Sequence, residues 1–217
     1  MAGNKNASQE TRASIIKTAK KLFMELGYRA VSTRQIADAC GLTQPALYHH
    51  FSDKESLYVE VLQTVCSETR RALERIIKRE QHIRNRLVQI VHYMMASHPD
   101  DLNTMFHDIR HELSAPSQAA ILQCWQEAYL LPIVGVFEAG QQEGRLRDPR
   151  QFGMDADMSA RLLMGLINQS LQRPPVPDHV RGTRAARGLE QQAQTLVDII
   201  LYGLASPDER PDPRSAD

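Results

Sequence analysis

The chain has 217 residues, 42% of them hydrophobic and 24% charged, which is enough for one large or two modest domains with an apolar core. Its 26 Lys and Arg residues balance 26 Asp and Glu residues, so there is no uniform basicity to indicate a nucleic-acid partner. The N-terminus lacks the apolar segment of a signal peptide, and the apolar run 128–137, interrupted by Pro132, is too short to span a bilayer. We therefore expect a cytoplasmic protein without a membrane partner.

Helical periodicity dominates the chain, and the alternation typical of strands is weak. Gly27 is expected to end a first helix whose apolar residues share one face: Ile15, Ile16, Ala19, Leu22, Phe23 and Leu26. Residues 32–35 (STRQ) and 52–55 (SDKE) match capping boxes that start later helices. Further helices are expected at about 82–97, 100–112, 117–140, 155–171 and 187–205. The pattern predicts an all-α fold of about nine helices, with a mobile connector at 172–188 and a disordered tail at 207–217.

Residues 33–51 (TRQIADACGLTQPALYHHF) match a helix-turn-helix arrangement. The first helix is expected to run from 33 to about 40, and the second begins near Gln44. Gly41 can adopt the positive φ that the turn requires, Thr43 can cap the second helix, and Pro45 is tolerated in its first turn. The seam between the two helices is predicted from their apolar side chains: Ile36, Ala37, Leu42 and Leu47.

The outward face of the second helix keeps small and polar side chains, as expected of a helix that lies in the DNA major groove. These side chains are Gln44, Ala46, Tyr48 and His49, while His50 faces either the DNA or the interior. Gln44 is the candidate for a direct base contact, because an amide can pair bidentately with adenine. Residues 1–34 contain seven basic and two acidic residues, a local net charge of +5. That charge is typical of phosphate binding, and a solvated surface is the alternative.

The run LFMELGYRAVSTRQIADACGLTQPALYHHFSDKESLY resembles the N-terminal signature of the TetR family of bacterial transcriptional regulators. The resemblance covers about residues 12–60, where the glycine-aromatic, Ile-Ala, Leu-Tyr, His-Phe and Lys-Glu pairs and the turn glycine occur together in register. It implies an all-helical homodimer that binds a palindromic operator and releases the DNA when a small ligand enters the C-terminal domain. The implied function is a ligand-responsive, sequence-specific regulator, most often a repressor, with an activator as the alternative.

The resemblance also implies roles for single residues. Thr33 is expected to bind a phosphate, Tyr48 and His49 to contact the DNA backbone or a thymine methyl group, and Lys54 to neutralise a phosphate. Four residues are expected near base edges: Thr43, Gln44, Pro45 and Ala46. Pro45 stands where many members have glycine, which departs from the family's close backbone approach to DNA.

The resemblance places dimerisation in the last two predicted helices, 155–171 and 187–205. The first carries the apolar residues Met158, Leu162, Leu163, Leu166, Ile167 and Leu171. The second carries Leu189, Leu196, Val197, Ile199, Ile200 and Leu204, a stripe so broad that some of it must face the core. An ordinary domain core is the alternative for both. The predicted domains are a DNA-binding domain (1–52), a ligand-binding and dimerisation domain (53–206) and the tail (207–217).

A pocket for an effector of apolar character is expected among the middle helices, because Met and aromatic side chains suit an adaptable apolar site. They suit a plain core equally well. The candidates are Met94, Met95, Met105, Phe106, Ile109, Trp125, Tyr129, Ile133 and Phe137, with Asn168 or Gln169 as a polar group.

The sequence gives only weak indications of metal binding, catalysis or cysteine redox chemistry. His107 and His111 lie one helical turn apart and could share a metal ion in a metal-dependent helical enzyme, but no third ligand follows at a fixed spacing. No nucleophile motif or phosphate-binding loop is present either, so we expect neither an enzyme nor a resident cofactor. Cys40, Cys66 and Cys124 form no CxxC motif, and they are expected to be buried thiols, with redox sensing as the alternative.

Overall fold

The computed structural model describes residues 2–97, 102–171 and 185–202. All regular secondary structure in these ranges is helical, which confirms the all-α prediction. The helices are α1 (Ala2–Ala30), α2 (Thr33–Ala39), α3 (Gln44–Tyr48), α4 (Lys54–Arg79), α5 (Ile83–Ser97), α6 (Leu102–Glu112), α7 (Ala115–Trp125), α8 (Leu131–Gln142), α9 (Pro149–Phe152), α10 (Ala156–Leu171) and α11 (Ala185–Tyr202). The four residues of α9 are too few to show periodicity, so the sequence did not predict this helix.

Two predicted irregular segments fall largely outside the described residues. The tail at 207–217 and residues 172–184 of the predicted connector belong to those ranges. The last four connector residues, 185–188, are the first turn of α11, so this part of the connector prediction was wrong. Three of these four residues are Ala or Arg, which favour helix, and Gly188 is tolerated within it.

The chain divides into two compact units, Met1–Glu74 with His98–Pro132, and Arg75–Ser97 with Ile133–Asp217. The first unit therefore holds the predicted helix-turn-helix together with α6 and α7. The second unit holds α5 and α8 to α11. The functional domain boundary near residue 52 remains a prediction from the family resemblance.

The core of the first unit includes the predicted apolar face of α1. Ile15, Ala19 and Phe23 are buried, and Gly27 interrupts the helix with φ 79° and ψ 163°, as expected. Leu26, predicted on the same face, is 52% exposed. The rings of Phe23, Tyr28 and Tyr58 lie 4.8–5.9 Å apart and fill the core at this end of the helix, so Leu26 is left outside.

The start of α4 differs from its predicted capping box. Asp53, and not Ser52, is the capping residue, because its Oδ1 accepts a hydrogen bond from the backbone N–H of Ser56 at 2.7 Å. The hydroxyl of Ser56 in turn accepts from the backbone N–H of Asp53 at 3.2 Å. Glu55, predicted to complete the box, instead accepts hydrogen bonds from Ser114. The cap therefore lies one residue later than predicted, since Glu55 has a partner elsewhere in the first unit.

Replacing Asp53 by Ala is expected to lower the free energy of unfolding by about 0.5–2 kcal/mol, the usual cost of losing a helix cap. Ser52→Ala is the matched control and should lower the free energy of unfolding by a smaller amount. The hydrogen bond from the Ser56 backbone N–H lowers the pKa of Asp53. Its stabilisation is therefore present above about pH 3.9, the pKa of an unfolded Asp, and is lost as the pH falls below it.

Denaturant unfolding of both variants at about pH 7 and about pH 3 measures these effects. The free energies of unfolding of wild type and Asp53→Ala should differ less at the lower pH. An equal loss from both variants at neutral pH would show that Asp53 is not the dominant cap.

The segment from Ala115 to Gln142 is one continuous helix, in which the π-helical turn Gln126–Leu130 joins α7 to α8. The π turn ends two residues before Pro132, whose missing N–H and bulky ring disrupt the α-helical hydrogen-bond pattern. By length and composition this helix is apolar enough to cross a membrane. It also carries core residues that the fold buries, among them Ile121, Tyr129, Ile133 and Phe137, while Leu122 and Leu131 are exposed, so one side of it belongs to the protein core.

The second unit is built on the packing of α5 against α11 and α10. Leu87 and Ile90 of α5, Leu163 of α10 and Val197 of α11 are fully buried. The guanidinium of Arg84 donates two hydrogen bonds, of 2.8 and 3.0 Å, to the Asp198 carboxylate and so joins α5 to α11. Part of each predicted apolar stripe therefore faces the core, as was expected of the stripe in the last helix.

Candidate nucleic-acid interface

Helix α3, the second helix of the predicted helix-turn-helix, is short, and the residues around it fix its position. Thr43 caps it by accepting a hydrogen bond from the backbone N–H of Ala46 at 3.3 Å, and Pro45 lies in the first turn. Gly41 adopts φ 66° in the preceding turn. Leu47 is fully buried against the predicted seam, in which Ile36 and Ala37 are also buried and Leu42 is partly buried. The predicted helix-turn-helix is confirmed in each of these details.

Helix α2, which lies before the turn, begins with the predicted capping box. Ser32 accepts a hydrogen bond from the backbone N–H of Gln35, and the Gln35 side chain accepts from the backbone N–H of Ser32 at 2.7 Å. Both ends of the box are local in sequence, which is why the pattern could be predicted. The box holds Thr33, the next residue, at the start of α2.

A polar network links the first turn of α2 to α3. The Gln44 side-chain amide donates a hydrogen bond to Thr33 Oγ1 at 3.0 Å, and the same oxygen lies 3.1 Å from the Tyr48 hydroxyl. Thr33 is 8% exposed, whereas Tyr48 is 44% exposed. Through its hydroxyl, Thr33 therefore holds the side chains of Gln44 and Tyr48, both of which are predicted to contact DNA. The Gln44 carbonyl oxygen and second amide proton stay available for a base edge.

The other residues of the predicted DNA face differ in exposure. Thr43, Pro45 and His49 are exposed, and Ala46 is partly exposed. His50, whose orientation the sequence left open, is also partly exposed. Leu47 is thus the buried residue of α3, while the residues on either side of it stay accessible to solvent, as a groove-binding helix requires.

Lys54 lies at the start of α4 in a mixed aromatic and acidic environment. Its Nζ is 4.1 Å from the centroid of the Tyr28 ring, a cation–π contact. Partial burial lowers the pKa of Lys54, and the carboxylates of Glu112 and Asp108 oppose this by favouring the charged form. Burial, followed by the charges of nearby carboxylates, raises the pKa of Tyr28. Lys54 is thus held in place by the protein, and its contact with a phosphate remains a prediction.

Most basic residues of the segment 1–34 form ion pairs with carboxylates of the first unit. Arg12 pairs with Glu60 on α4 and also stacks 4.7 Å above the Phe51 ring. Further ion pairs join Lys20 to Glu68, Lys21 to Glu25, Arg29 to Glu112 and Arg34 to Asp38. Surface pairs of this kind are individually weak, so these basic groups can still exchange a carboxylate for a phosphate.

Three contacts that sequence reasoning missed join this region to α6 and to the loop after it. The buried Asp108 carboxylate accepts a hydrogen bond from the Tyr28 backbone N–H at 2.8 Å. Arg29 lies 2.7 Å from the Glu112 carboxylate. The Ser114 backbone N–H and hydroxyl donate to Glu55 at 2.9 and 2.6 Å, and these bonds lower the pKa of Glu55. The partners are 59 to 83 residues apart, so no local pattern could reveal them.

Comparison with known proteins identifies this helix-turn-helix. A family model described as bacterial regulatory proteins of the tetR family matches residues 15–61. The HTH-type transcriptional repressor KstR2 of Rhodococcus jostii is 26% identical over 208 residues, 90% of this chain and 92% of the relative. The HTH-type transcriptional activator FasR of Mycolicibacterium smegmatis is 36% identical over 86 residues, 38% of this chain and 39% of the relative. Residues 15–61 of this chain are therefore a TetR-family helix-turn-helix segment.

The fold agrees with that assignment. The crystal structure of the transcriptional regulator FadR from Bacillus subtilis in complex with stearoyl-CoA has a TM-score of 0.68 at 16% sequence identity, covering 89% of this chain and 99% of the FadR chain. A TetR-family regulator, PfmR from Thermus thermophilus, has a TM-score of 0.65 at 24% identity, covering 88% and 99% of the two chains. Both likenesses concern the fold, and they show that the chain shares the all-helical architecture of these regulators.

The residues predicted to line an effector pocket divide between the two units of the chain. In the first unit Tyr129 is buried, and Ile109 and Trp125 are partly buried. In the second unit four of them are buried: Met94, Met95, Ile133 and Phe137. The other two are not, since Asn168 is partly exposed and Gln169 is exposed. The side chains of Met105 and Phe106 lie outside the described part of the structure. The pocket remains a prediction.

The histidine pair was the weak metal candidate. The His107 and His111 rings face each other with centroids 4.5 Å apart, and both residues are exposed. Among the described residues, no group of three or more His, Cys, Asp or Glu side chains is placed to hold a metal ion. Asp108, between the two histidines in sequence, is engaged by the Tyr28 backbone instead.

Proposed function

We propose that this protein is a homodimeric repressor that acts in the cytoplasm. It binds a palindromic duplex through α3 and releases it when a small effector of apolar character binds. The polar face of α3 carries the proposal, because Gln44 and Tyr48 are braced by Thr33 at the solvent-facing side of a helix whose opposite side is buried. A polar face of this kind suits base and phosphate contacts.

Dimerisation is supported by the exposed apolar residues of α10 and α11. Met158 and Leu162 lie one turn apart on α10 and are 51% and 49% exposed, while Tyr202 on α11 is 53% exposed. Large apolar side chains that share one exposed face are typical of a protein–protein interface. A two-fold axis through such a face would also match the symmetry of a palindromic operator.

Coupling between effector and DNA is supported by the polar contacts of α6 with the helix-turn-helix region. Asp108 and Glu112 hold the end of α1 through Tyr28 and Arg29. A displacement of α6 would therefore move α1, and with it the recognition helix. The effector must bind the displaced conformer more tightly than the DNA-bound one, because a ligand with equal affinity for both would shift nothing.

In vitro selection from a pool of random-sequence duplexes tests the function. We expect enrichment of a palindrome whose half-sites are about 34–36 Å apart, one helical turn of DNA. Transcription from a promoter that overlaps the selected palindrome should fall when the protein is added. Failure to enrich any sequence would contradict sequence-specific binding, and a rise in transcription would favour an activator.

The effector is sought separately by thermal shift. Metabolites and drugs of apolar character are screened for an increase in the melting temperature, which rises when a ligand binds the native state alone. A stabilising compound should then release the selected duplex. Compounds that stabilise the protein and leave DNA binding unchanged would count against an effector role.

Replacing Lys54 by Ala is expected to weaken binding to the selected duplex and to reduce the slope of log affinity against log salt by about one, the value for one lost phosphate contact. Lys78→Ala is the control, because Lys78 is an exposed lysine near the end of α4, outside the basic segment 1–34. Fluorescence anisotropy over a range of salt concentrations measures both. If the salt dependence of Lys54→Ala equals that of wild type, Lys54 does not contact a phosphate, and its role is limited to the cation–π contact with Tyr28.

A further inference from the structure

Two histidines form an exposed pair on α6 that the proposed function does not use. Of the eight histidines in the chain, only His107 and His111 stand four positions apart. That spacing is close to one helical turn, so both side chains leave α6 on the same side. Both residues are exposed, and their ring centroids lie 4.5 Å apart. Among the described side chains, none forms a hydrogen bond or an ion pair with either ring, so the imidazole nitrogens are available to a ligand.

The neighbouring side of this helical turn is fixed against α1. Asp108 is 6% exposed, and its carboxylate accepts a hydrogen bond of 2.8 Å from the Tyr28 backbone N–H. The Glu112 carboxylate lies 2.7 Å from the guanidinium of Arg29. The backbone that carries the two histidines is therefore anchored before any ligand binds. A site on an anchored element loses less conformational entropy on binding than a site on a free segment.

The ring separation matches a metal ion bound by both imidazoles at a right angle. Metal–nitrogen bonds of about 2.0–2.1 Å, added to a ring radius of about 1.1 Å, place each centroid about 3.2 Å from the ion. Two such rings have centroids about 4.5 Å apart at a right angle and about 5.2 Å apart at the tetrahedral angle. The observed 4.5 Å therefore fits the square-planar or tetragonal arrangement of Cu²⁺ and Ni²⁺. Rotation about the Cβ–Cγ bonds, which point close to the centroids, can direct one nitrogen of each ring at the ion.

We propose that His107 and His111 form a binding site for a divalent transition-metal ion with a tetragonal preference, Cu²⁺ or Ni²⁺. The protein supplies two neutral imidazole nitrogens, and water completes the coordination. In the described part of the chain no third His, Cys, Asp or Glu side chain joins the pair, so the ion is exchangeable and is not a resident structural metal. Mg²⁺ and Ca²⁺ prefer oxygen ligands and should not bind.

The position of the site on α6 connects it to the helix-turn-helix, and this part rests on the proposed function. An ion that joins two side chains one turn apart binds the folded turn alone and so stabilises it. Asp108 belongs to the same turn and holds the Tyr28 backbone. The ion therefore opposes the displacement of α6 that would accompany release of DNA. We expect it to raise the affinity for the selected duplex by roughly 5- to 150-fold, the usual range of allosteric coupling.

Isothermal titration calorimetry of the full-length reduced protein with nickel chloride tests the site. Wild type should bind one Ni²⁺ per chain at the pair. His107→Ala and His111→Ala should each weaken this binding by roughly 100-fold or more, because the second imidazole acts at a high effective concentration. His92→Ala is the matched control and should bind as wild type does, because His92 is an exposed histidine on α5 with no histidine one turn away. Magnesium chloride should produce no binding.

Each result decides a separate part of the proposal. Absence of Ni²⁺ binding in wild type, wild-type binding by either α6 variant, or an equal loss in His92→Ala would overturn the site. Far-UV circular dichroism should show unchanged helix content in the variants, since all three histidines are exposed. The melting temperature of wild type should rise with Ni²⁺, and this rise provides a second measure of binding.

Fluorescence anisotropy with the selected duplex, with and without Ni²⁺, tests the regulatory part. Ni²⁺ should strengthen DNA binding by wild type and by His92→Ala, and it should leave the two α6 variants unchanged. Ni²⁺ binding without a change in DNA affinity, or an equal effect of Ni²⁺ in His107→Ala, would overturn this part. Failure of the metal-free protein to bind any duplex would contradict the proposed function, while calorimetry would still decide whether the ion binds.

Discussion

Leu162→Arg is expected to turn the dimer into a monomer and to remove tight binding to a palindromic duplex. Leu162 is 49% exposed on α10, beside Met158, and the proposed interface would bury it. An arginine there would place two unpaired charges near the two-fold axis, which costs far more than the lost apolar contact. A monomer contacts one half-site at a time, so affinity should fall by roughly 100- to 10,000-fold through loss of bivalency.

The matched control is Leu122→Arg, because Leu122 is a similarly exposed leucine (57%) on α7. Analytical ultracentrifugation gives the oligomeric state, and fluorescence anisotropy gives the affinity for the selected duplex. We expect the control to stay dimeric and to bind DNA as wild type does. A dimeric Leu162→Arg protein, or a monomeric Leu122→Arg protein, would place the interface elsewhere.

Gln44→Ala is expected to weaken binding to the selected duplex by about 1–3 kcal/mol, roughly 5- to 150-fold, and to relax the preference at one base pair in each half-site. The amide is oriented by its bond to Thr33, so the contact is prepared before DNA binds. Thr33→Val removes this support and keeps the Gln44 side chain, and we expect it to cause a smaller loss.

Gln63→Ala on the exposed side of α4 is the control for removing a glutamine side chain. Anisotropy with duplexes that carry each single base change gives both the affinity and the preference of every variant. If Gln44→Ala kept the wild-type preference at every position, Gln44 would have no role in reading the sequence. A loss caused by Thr33→Val that exceeds that of Gln44→Ala would assign the main contact to Thr33 itself or to Tyr48.

Features that depend on neighbouring residues could be predicted from the sequence. The capping box at Ser32 and Gln35, the turn at Gly41 and the cap at Thr43 each involve residues at most three positions apart, and all three are present. The TetR family assignment rests on the same short segment. The helix bounds followed from apolar periodicity, which is likewise a local property.

The failures of sequence reasoning have a common cause. The cap of α4 moved from Ser52 to Asp53 because Glu55 bonds Ser114, 59 residues away. Leu26 is exposed although it lies on the predicted apolar face, because aromatic rings fill the core at that end of α1. Periodicity shows which side of a helix is apolar, but it does not show how much of that side other elements cover.

The sequence by itself therefore determined the all-α class and the TetR-family helix-turn-helix of this protein, since local hydrogen bonding and periodicity specify them. Tertiary structure alone decided which polar groups meet: Thr33 with Gln44 and Tyr48, Asp108 with the Tyr28 backbone, and Ser114 with Glu55. Such pairings depend on how distant helices pack, and side-chain packing is a property of the whole unit. No short segment of sequence carries that information.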